Sequence, residues 1–305
     1  YESLRRMAEP PGARVALLTG RDKGRAREAT LMGLLDGSID LVVGTHAIFQ
    51  DKVAYRNLAM VVIDEQHRFG VAQRAKLWKK AKVAPHILVM TATPIPRTLA
   101  MTAYGDLDSS VLDELPPGRK PIQTVHRTDA SRLGVFQFLE EQIAEGRQIY
   151  LVYPLIEESA TLDHKDLMDG YESIVRRFPM PKYQVAIVHG RMKPDDKAWE
   201  MDRFAKGQAQ ILVATTVIEV GVNVPNASVM VIESSERFGL SQLHQLRGRV
   251  GRGGSQSYCI LMSKADLGAD ARRRLETMCR TNDGFEIAEV DMELRGPGAV
   301  SYTHL

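Results

Sequence analysis

The chain has 305 residues, of which 44% are hydrophobic and 26% are charged, and its net charge is +2. This ordinary globular composition excludes collagen-like, disordered and disulfide-scaffold proteins, and the length predicts about two domains. No apolar run reaches the roughly 20 residues that cross a bilayer, so we expect a cytoplasmic protein without a membrane segment. Cys259 and Cys279 lack metal-binding spacing, and we expect two buried thiols.

Short β-rich runs alternate with helical stretches, which predicts an α/β fold of parallel sheets covered by helices. In the first half the predicted strands are Arg14–Leu18, Asp40–Val43, Met60–Ile63 and Ile87–Met90. In the second half they are Gln148–Val152, Gln184–Val188, Gln210–Ala214, Ser228–Ile232 and Tyr258–Met262. We predict one domain over residues 1–115 and another over 123–265, then a helical appendage over 266–300 and a truncated or foreign tail over 301–305.

The predicted break between the domains is the linker 116–122, within a stretch that holds three prolines and a glycine and cannot continue a helix. The clearest helix is Ala130–Glu145, with Asp129 as its N-cap and Gly146 as its stop. Its predicted core face is an apolar stripe of Leu133, Phe136, Leu139 and Ile143. A basic helix over 270–280 follows the last strand.

Two carboxylates follow the apolar strand Met60–Ile63, at the strand end where open α/β sheets bind ligands. Asp64 is suited to hold Mg²⁺ through water, because this ion loses its water reluctantly. Glu65 can polarise an attacking water molecule. Gln66 and His67 carry polar groups suited to sensing a γ-phosphate. A solvated acidic strand end is the alternative interpretation.

Thr91 and Thr93 follow the next predicted strand, in the sequence Thr-Ala-Thr-Pro. Two small hydroxyl side chains at a strand end can bond to the preceding carboxylates and move with them. An isolated motif of this kind is more often a simple strand-to-helix turn. Beside the acidic pair it predicts a relay that couples the nucleotide to movement.

A Gln/Arg cluster lies in the second half, where Gln245, Arg249 and Arg252 are spaced i, i+4 and i+7 and would share one helix face. Such a cluster is typical of groups that stabilise a transferring phosphoryl group. A solvated basic helix is the alternative, and the interrupting glycines argue against it. Upstream, Gly221 would allow close backbone approach and Asn223 could bond a ribose.

Several strand ends carry small or polar residues whose backbone amides could face phosphates. Each of these turns alone is an ordinary βα connection, but their recurrence predicts a nucleic-acid backbone track across both domains. The predicted nucleic-acid contacts are Thr19, Gly20, Gly44, Thr45, His46, His189, Gly190, Arg191, Thr215 and Thr216. The stretch 20–25 lacks the Gly-Lys-Ser/Thr ending of a phosphate-binding loop. We therefore expect part of a motor, with negligible ATP hydrolysis by this chain alone.

The motifs at 64–67, 91–93, 216–225 and 245–252 resemble motifs II, III, V and VI of superfamily 2 helicases in order and spacing. Within that superfamily the chain most resembles the RecG family, through DEQHRFGV at 64–71, MTATPIPRTL at 90–99 and DELPPGRKP at 113–121. The resemblance implies two RecA-like domains, the first incomplete, that clamp ATP and Mg²⁺. It further implies Arg249 and Arg252 as arginine fingers and 266–300 as the start of a translocation motif.

The resemblance also implies a monomeric bacterial enzyme of the cytoplasm that remodels branched or duplex DNA in recombination and repair. A transcription-repair coupling factor translocase is one alternative, although Gln66 and the linker argue against it. A DNA-binding scaffold that hydrolyses no ATP is another, and the missing phosphate loop is its only support. The preference for DNA over RNA rests on the resemblance alone.

Overall fold

The computed structural model describes residues 1–64, 80, 83–91, 108, 110–112, 114, 116–154, 160–215 and 224–295, with only the backbone of 160–166. The described residues form two compact units, and the division falls after residue 92. The predicted domain boundaries and the linker 116–122 stay predictions, since most residues between 92 and 115 lie outside the described part.

The first unit contains two pairs of parallel strands with helices packed beside them. Its elements are α1 (Glu2–Ala8), β1 (Val15–Leu18), α2 (Gly24–Asp36), β2 (Leu41–Gly44), β3 (Met60–Ile63) and β4 (His86–Val89). β1 pairs with β2, and β3 pairs with β4. Leu18 and Leu34 are buried in a cluster beside the first pair, and Val61 and Ile63 in a second cluster beside the other.

The second unit is a six-stranded sheet between two layers of helices. Its strands are β5 (Gln123–Thr128), β6 (Gln148–Tyr153), β7 (Val185–Val188), β8 (Ile211–Thr215), β9 (Ala227–Ile232) and β10 (Tyr258–Ser263). Its helices are α3 (Arg132–Ala144), α4 (Ala160–Arg177), α5 (Pro194–Ala205), α6 (Leu240–Arg247), α7 (Ala269–Arg280) and α8 (Gly284–Arg295). The strand order is β5-β10-β9-β6-β8-β7, and every pair is parallel.

The two faces of this sheet bury separate apolar clusters. One cluster holds residues of α3 and α4, such as Leu139 and Ile174. The other holds residues of α5, α6, α7 and α8, such as Phe204 and Leu243. β6, β8 and β9 are buried along nearly their whole length. This burial explains why these strands read as continuous apolar runs in the sequence.

All nine predicted strands are present with ends shifted by at most one residue, whereas β5 was missed. β5 is an edge strand with the sequence QTVHRT, and its residues are exposed or half-buried. An edge strand pairs through its backbone on one side only and needs no apolar pattern. Its presence could be decided only by pairing with β10.

Details of the clearest predicted helix differ from the structure. Gly146 ends it as predicted, with a left-handed φ of 81°. Asp129 is not its N-cap, because residues 129–131 form a 3₁₀ turn and α3 begins at Arg132. Leu133 is 75% exposed, so it does not belong to the core face, whereas the neighbouring Val135 is buried. α3 begins two residues later than predicted, so Leu133 is only the second residue of the helix, and the core face is formed further along by Val135, Phe136 and Leu139.

Two further sequence expectations concern the cysteines and membrane segments. Cys259 is buried as predicted, but Cys279 is exposed on α7, so the expectation of two buried thiols was wrong for Cys279. Among the described residues, no helix has both the length and the apolar character needed to cross a membrane.

Candidate nucleotide and nucleic-acid sites

The acidic strand end lies beside the predicted threonine relay in the first unit. β3 and β4 run in register with Ile63 opposite Val89, and the Met90 amide donates to the Ile63 carbonyl oxygen at 2.7 Å. Asp64 and Thr91, both exposed, therefore leave neighbouring strands at the same edge. The predicted site residues Glu65, Gln66, His67 and Thr93 lie outside the described residues.

Two of the predicted phosphate-facing turns lie side by side in the first unit. Leu18 is opposite Gly44, so Thr19-Gly20 and Thr45-His46 leave β1 and β2 at one edge. Gly44 is required there, because a Cβ atom would collide with the Leu18 carbonyl oxygen. The register confirms that these turns are neighbours, and their contact with nucleic acid stays a prediction.

The Thr19 amide is not free to face a phosphate, contrary to expectation. Its amide and its hydroxyl both donate to Asp22 Oδ2, at 2.6 and 2.8 Å. These hydrogen bonds, the amide bond first, hold the pKa of the Asp22 carboxyl below its usual value. The turn thus already contains an anion, so a nucleic-acid phosphate must reach its other groups, such as the Gly20 amide.

In the second unit two predicted nucleic-acid contacts meet at the carboxyl edge of the sheet. Val188 is opposite Ala214, so the turn His189-Gly190-Arg191 after β7 is adjacent to Thr215, the last residue of β8. Gly190 and Arg191 are exposed. Thr215 is 3% exposed, and its hydroxyl has no hydrogen-bond partner in the part of the chain that the structure describes. Thr216 lies outside the described residues.

The expectation that Gln245, Arg249 and Arg252 share one helix face was wrong, because α6 ends at Arg247. Turn hydrogen bonds join the Arg249 amide to Leu246 at 3.0 Å and the Val250 amide to Arg247 at 3.2 Å. Gly251 then adopts a left-handed φ of 77°. Gly248 and Gly251, the two glycines that disfavour a helix in the sequence, therefore lie just after the end of α6.

Arg249 and Arg252 follow the end of α6 and belong to the loop after it. Tyr150 is 2% exposed, and burial raises the pKa of its hydroxyl to about 12, while the charges of Arg252 and Arg249 both lower it. Arg252 is exposed and Arg249 half-buried, so both could reach an anion outside the unit. Gly221 and Asn223 lie outside the described residues.

Arg247, in the same motif, has a structural position that the sequence analysis missed. It is 2% exposed, and its Nη1 donates to the carbonyl oxygens of Met278 at 2.9 Å and Thr281 at 2.8 Å. It thus ties the end of α6 to the end of α7. The signal was its spacing, since Arg247 follows the buried Leu240 and Leu243 by seven and four residues.

The described residues fit one part of a Mg²⁺-nucleotide site. Asp64 supplies an exposed carboxylate at the end of β3. The described part of the chain contains no group of three side chains that could hold a metal ion. A single carboxylate suits Mg²⁺, which keeps several waters and takes its other ligands from phosphates. Asp64 would hold the ion, which would neutralise phosphate charge when bound.

Two protein families match the chain. The DEAD/DEAH box helicase family matches residues 1–102, and the helicase conserved C-terminal domain matches residues 134–254. The solved structure of the DNA- and AMPPNP-bound helicase MrfA has a TM-score of 0.61 at 14% identity, which is a likeness of fold alone. These matches confirm the predicted α/β fold with RecA-like helicase domains.

Closer relatives cover almost the whole chain. The ATP-dependent DNA helicase RecG of Escherichia coli O157:H7 is 52% identical over 300 residues, which are 97% of this chain and 43% of that protein. RecG of Bacillus subtilis (strain 168) is 50% identical over 299 residues, with the same coverage of both chains. The structure of RecG bound to a three-way DNA junction has a TM-score of 0.75 at 43% identity, and the match covers 40% of that chain. The present chain spans less than half the length of these relatives.

Proposed function

Because this chain belongs to the RecG family of ATP-dependent DNA helicases, we propose that it is the motor part of an enzyme that hydrolyses ATP to remodel branched DNA in recombination and repair. The observation that carries the proposal is 52% identity across 97% of the chain. The closer relatives reported above all carry the name RecG, which favours this function over a transcription-repair coupling factor or a scaffold without hydrolysis.

In the proposed mechanism, Asp64 at the carboxyl edge of β3 would hold Mg²⁺ that accompanies ATP, and the ion would neutralise phosphate charge. Glu65 would polarise the attacking water molecule. Arg249 and Arg252 would stabilise the charge that develops on the γ-phosphate. The neighbouring strand ends of Asp64 and Thr91 support a relay from this site, because β3 and β4 are in register.

The proposed DNA-contacting residues lie at strand ends in both units. Thr19 to Gly20 and Gly44 to His46 share one edge in the first unit, and His189 to Arg191 lie beside Thr215 in the second. Backbone phosphates are the ligands that such turns can bind without reading sequence. The related RecG structure is bound to a three-way DNA junction, and we propose branched DNA as the substrate here. We propose a monomer that acts in the bacterial cytoplasm.

The test is Glu65→Gln in a full-length protein that contains this chain. Loss of the general base should lower DNA-stimulated ATP hydrolysis about 100-fold or more, while ATP binding is retained. Lys206→Ala is the matched control, because this exposed lysine pairs with Asp202 at the end of α5 and belongs to no proposed site. Unimpaired hydrolysis by Glu65→Gln would reject the assignment.

A further inference from the structure

A cavity of about 300 Å³ lies at the carboxyl edge of the second unit's sheet. The chain changes direction across the sheet between the neighbouring strands β6 and β9. Beyond β6 lie β8 and β7, and beyond β9, on the other side, lie β10 and β5. Open parallel sheets bind ligands at such a switch point. The cavity lining includes Arg132, Tyr153, Ser173, Glu233, Ser234 and Lys264.

The carboxylates of this cavity are already engaged. Arg132 donates from Nη1 to Glu233 Oε1 at 2.7 Å and from Nη2 to Glu233 Oε2 at 2.9 Å. Its Nη2 also donates to Asp129 Oδ1 at 2.7 Å. The Glu233 side chain is 7% exposed, so its charge is held inside the unit and compensated there by Arg132. Asp129 shares the same guanidinium through one of its two oxygens and is otherwise exposed.

The remaining polar groups are mainly donors. In the described part of the chain, no hydrogen bond engages the Lys264 ammonium or the hydroxyls of Ser173, Ser234 and Tyr153. A lysine ammonium can only donate, and each hydroxyl can donate one hydrogen bond as well as accept others. All four groups can therefore donate together to a ligand that is rich in acceptor oxygens. Lys264 is the cation of the cavity that has no carboxylate partner among the described residues, so it favours an anionic ligand.

Ser234, which lines this cavity, is held in an unusual backbone conformation. Its φ and ψ are 46° and 47°, and it is the one non-glycine residue with positive φ in the described ranges. This left-handed conformation costs free energy for a residue with a side chain, and such residues cluster at ligand sites. The next residue, Ser235, is fixed by a hydrogen bond from its hydroxyl to the Met262 carbonyl oxygen at 2.8 Å.

The cavity shares its edge with the proposed DNA contacts. All six strands are parallel, so the residues after β7, β8, β6, β9 and β10 leave the sheet on one side. From β7 to β10 the edge spans four strand spacings, about 19 Å, which matches the axial length of about five or six base pairs. A backbone bound at His189 to Arg191 could therefore extend along this edge to Lys264.

We propose that this cavity holds a phosphodiester group of the DNA backbone, with Lys264 as its cation and the hydroxyls of Ser173, Ser234 and Tyr153 as donors. The proposal rests on the proposed function, because that function supplies the DNA. Arg132 is a positioning residue here, since it keeps the Glu233 carboxylate compensated and away from the phosphate. The ligand chemistry could also come from a free nucleotide or inorganic phosphate, which the test distinguishes.

The test measures the affinity of this 305-residue chain for a short end-labelled duplex over a range of salt concentrations. Loss of one phosphate contact should reduce the slope of log K against log salt by about 0.9, which weakens binding about eightfold at about 0.1 M salt. We expect this change for Lys264→Ala, and recovery for Lys264→Arg. Lys264 is exposed, so its replacement should leave thermal unfolding unchanged.

Lys206→Ala is the matched control, since Lys206 is an exposed lysine at the end of α5, a helix that returns to the opposite edge of the sheet. It should keep the slope of the unmodified chain. An unchanged slope for Lys264→Ala, with duplex binding intact, would overturn this inference and leave the proposed function standing. Absence of duplex binding by the unmodified chain would also overturn this inference, whereas the proposed function is judged by Glu65→Gln in the full-length protein. Saturable ATP or phosphate binding at millimolar concentration that Lys264→Ala abolishes would reassign the cavity and overturn the DNA assignment.

Discussion

Replacing the buried Arg247 should destabilise the second unit, although the residue lies within a motif that would ordinarily be tested for catalysis alone. We choose Arg247→Met, because methionine fills a similar length without a donor. The variant removes the hydrogen bonds to the carbonyl oxygens of Met278 and Thr281, at 2.9 and 2.8 Å. Because Arg247 is 2% exposed, water has little access to replace them.

The magnitude follows from two opposing effects. Each buried carbonyl that loses its donor costs about 1–3 kcal/mol. Burial lowers the pKa of Arg247, which means that its charge is held in the fold at some cost, and methionine removes that cost. The free energy of unfolding should therefore fall by about 2–4 kcal/mol in total.

Urea unfolding followed by far-ultraviolet circular dichroism measures this change. For a typical slope of about 2 kcal/mol per molar, the midpoint should fall by about 1–2 M. Arg252→Met is the control, because Arg252 is exposed and its one hydrogen bond to the Gly248 carbonyl oxygen is long, 3.4 Å. A midpoint for Arg247→Met within error of that for Arg252→Met would refute the structural role.

Three further predictions concern pH, a buried ion pair and a close strand approach. Burial lowers the pKa of His244 from 6.5 to about 4. Because the unfolded chain binds this proton more tightly than the folded chain, the free energy of unfolding is greatest above pH 6.5 and should fall by up to about 3 kcal/mol as the pH falls towards 4. Urea unfolding at several pH values measures this fall, and His244→Gln should make it smaller. Arg132→Leu leaves Glu233 buried without its cation and should lower the free energy of unfolding by about 3 kcal/mol. The double variant that also carries Glu233→Leu should recover most of this loss. Equal losses for the single and double variants in thermal unfolding would contradict this prediction. Gly44→Ala should lower the free energy of unfolding by about 1–3 kcal/mol, because its Cβ would clash with the Leu18 carbonyl oxygen. Gly20→Ala is the control: its Cβ would meet no atom within 4 Å, so the loss in the same assay should be below about 0.5 kcal/mol.

The sequence by itself determined the nine apolar strands and showed which polar residues follow their carboxyl ends. Buried parallel strands such as β8 must be apolar on both faces, so their pattern is visible without coordinates. The strand ends predicted from that pattern bring Asp64 beside Thr91, and His189 beside Thr215, once the registers are known. The motifs and their spacing also identified the family.

Only the tertiary structure decided which polar residues face the core and which face solvent. Arg247 and Arg252 belong to one motif, yet one guanidinium is buried against the end of α7 and the other is exposed. β5 exists because β10 offers it a partner, since its own sequence carries no strand pattern. The cavity beside Lys264 joins residues from strands far apart in the chain. Local sequence fixes periodicity, but pairing and burial depend on what the rest of the chain brings into contact.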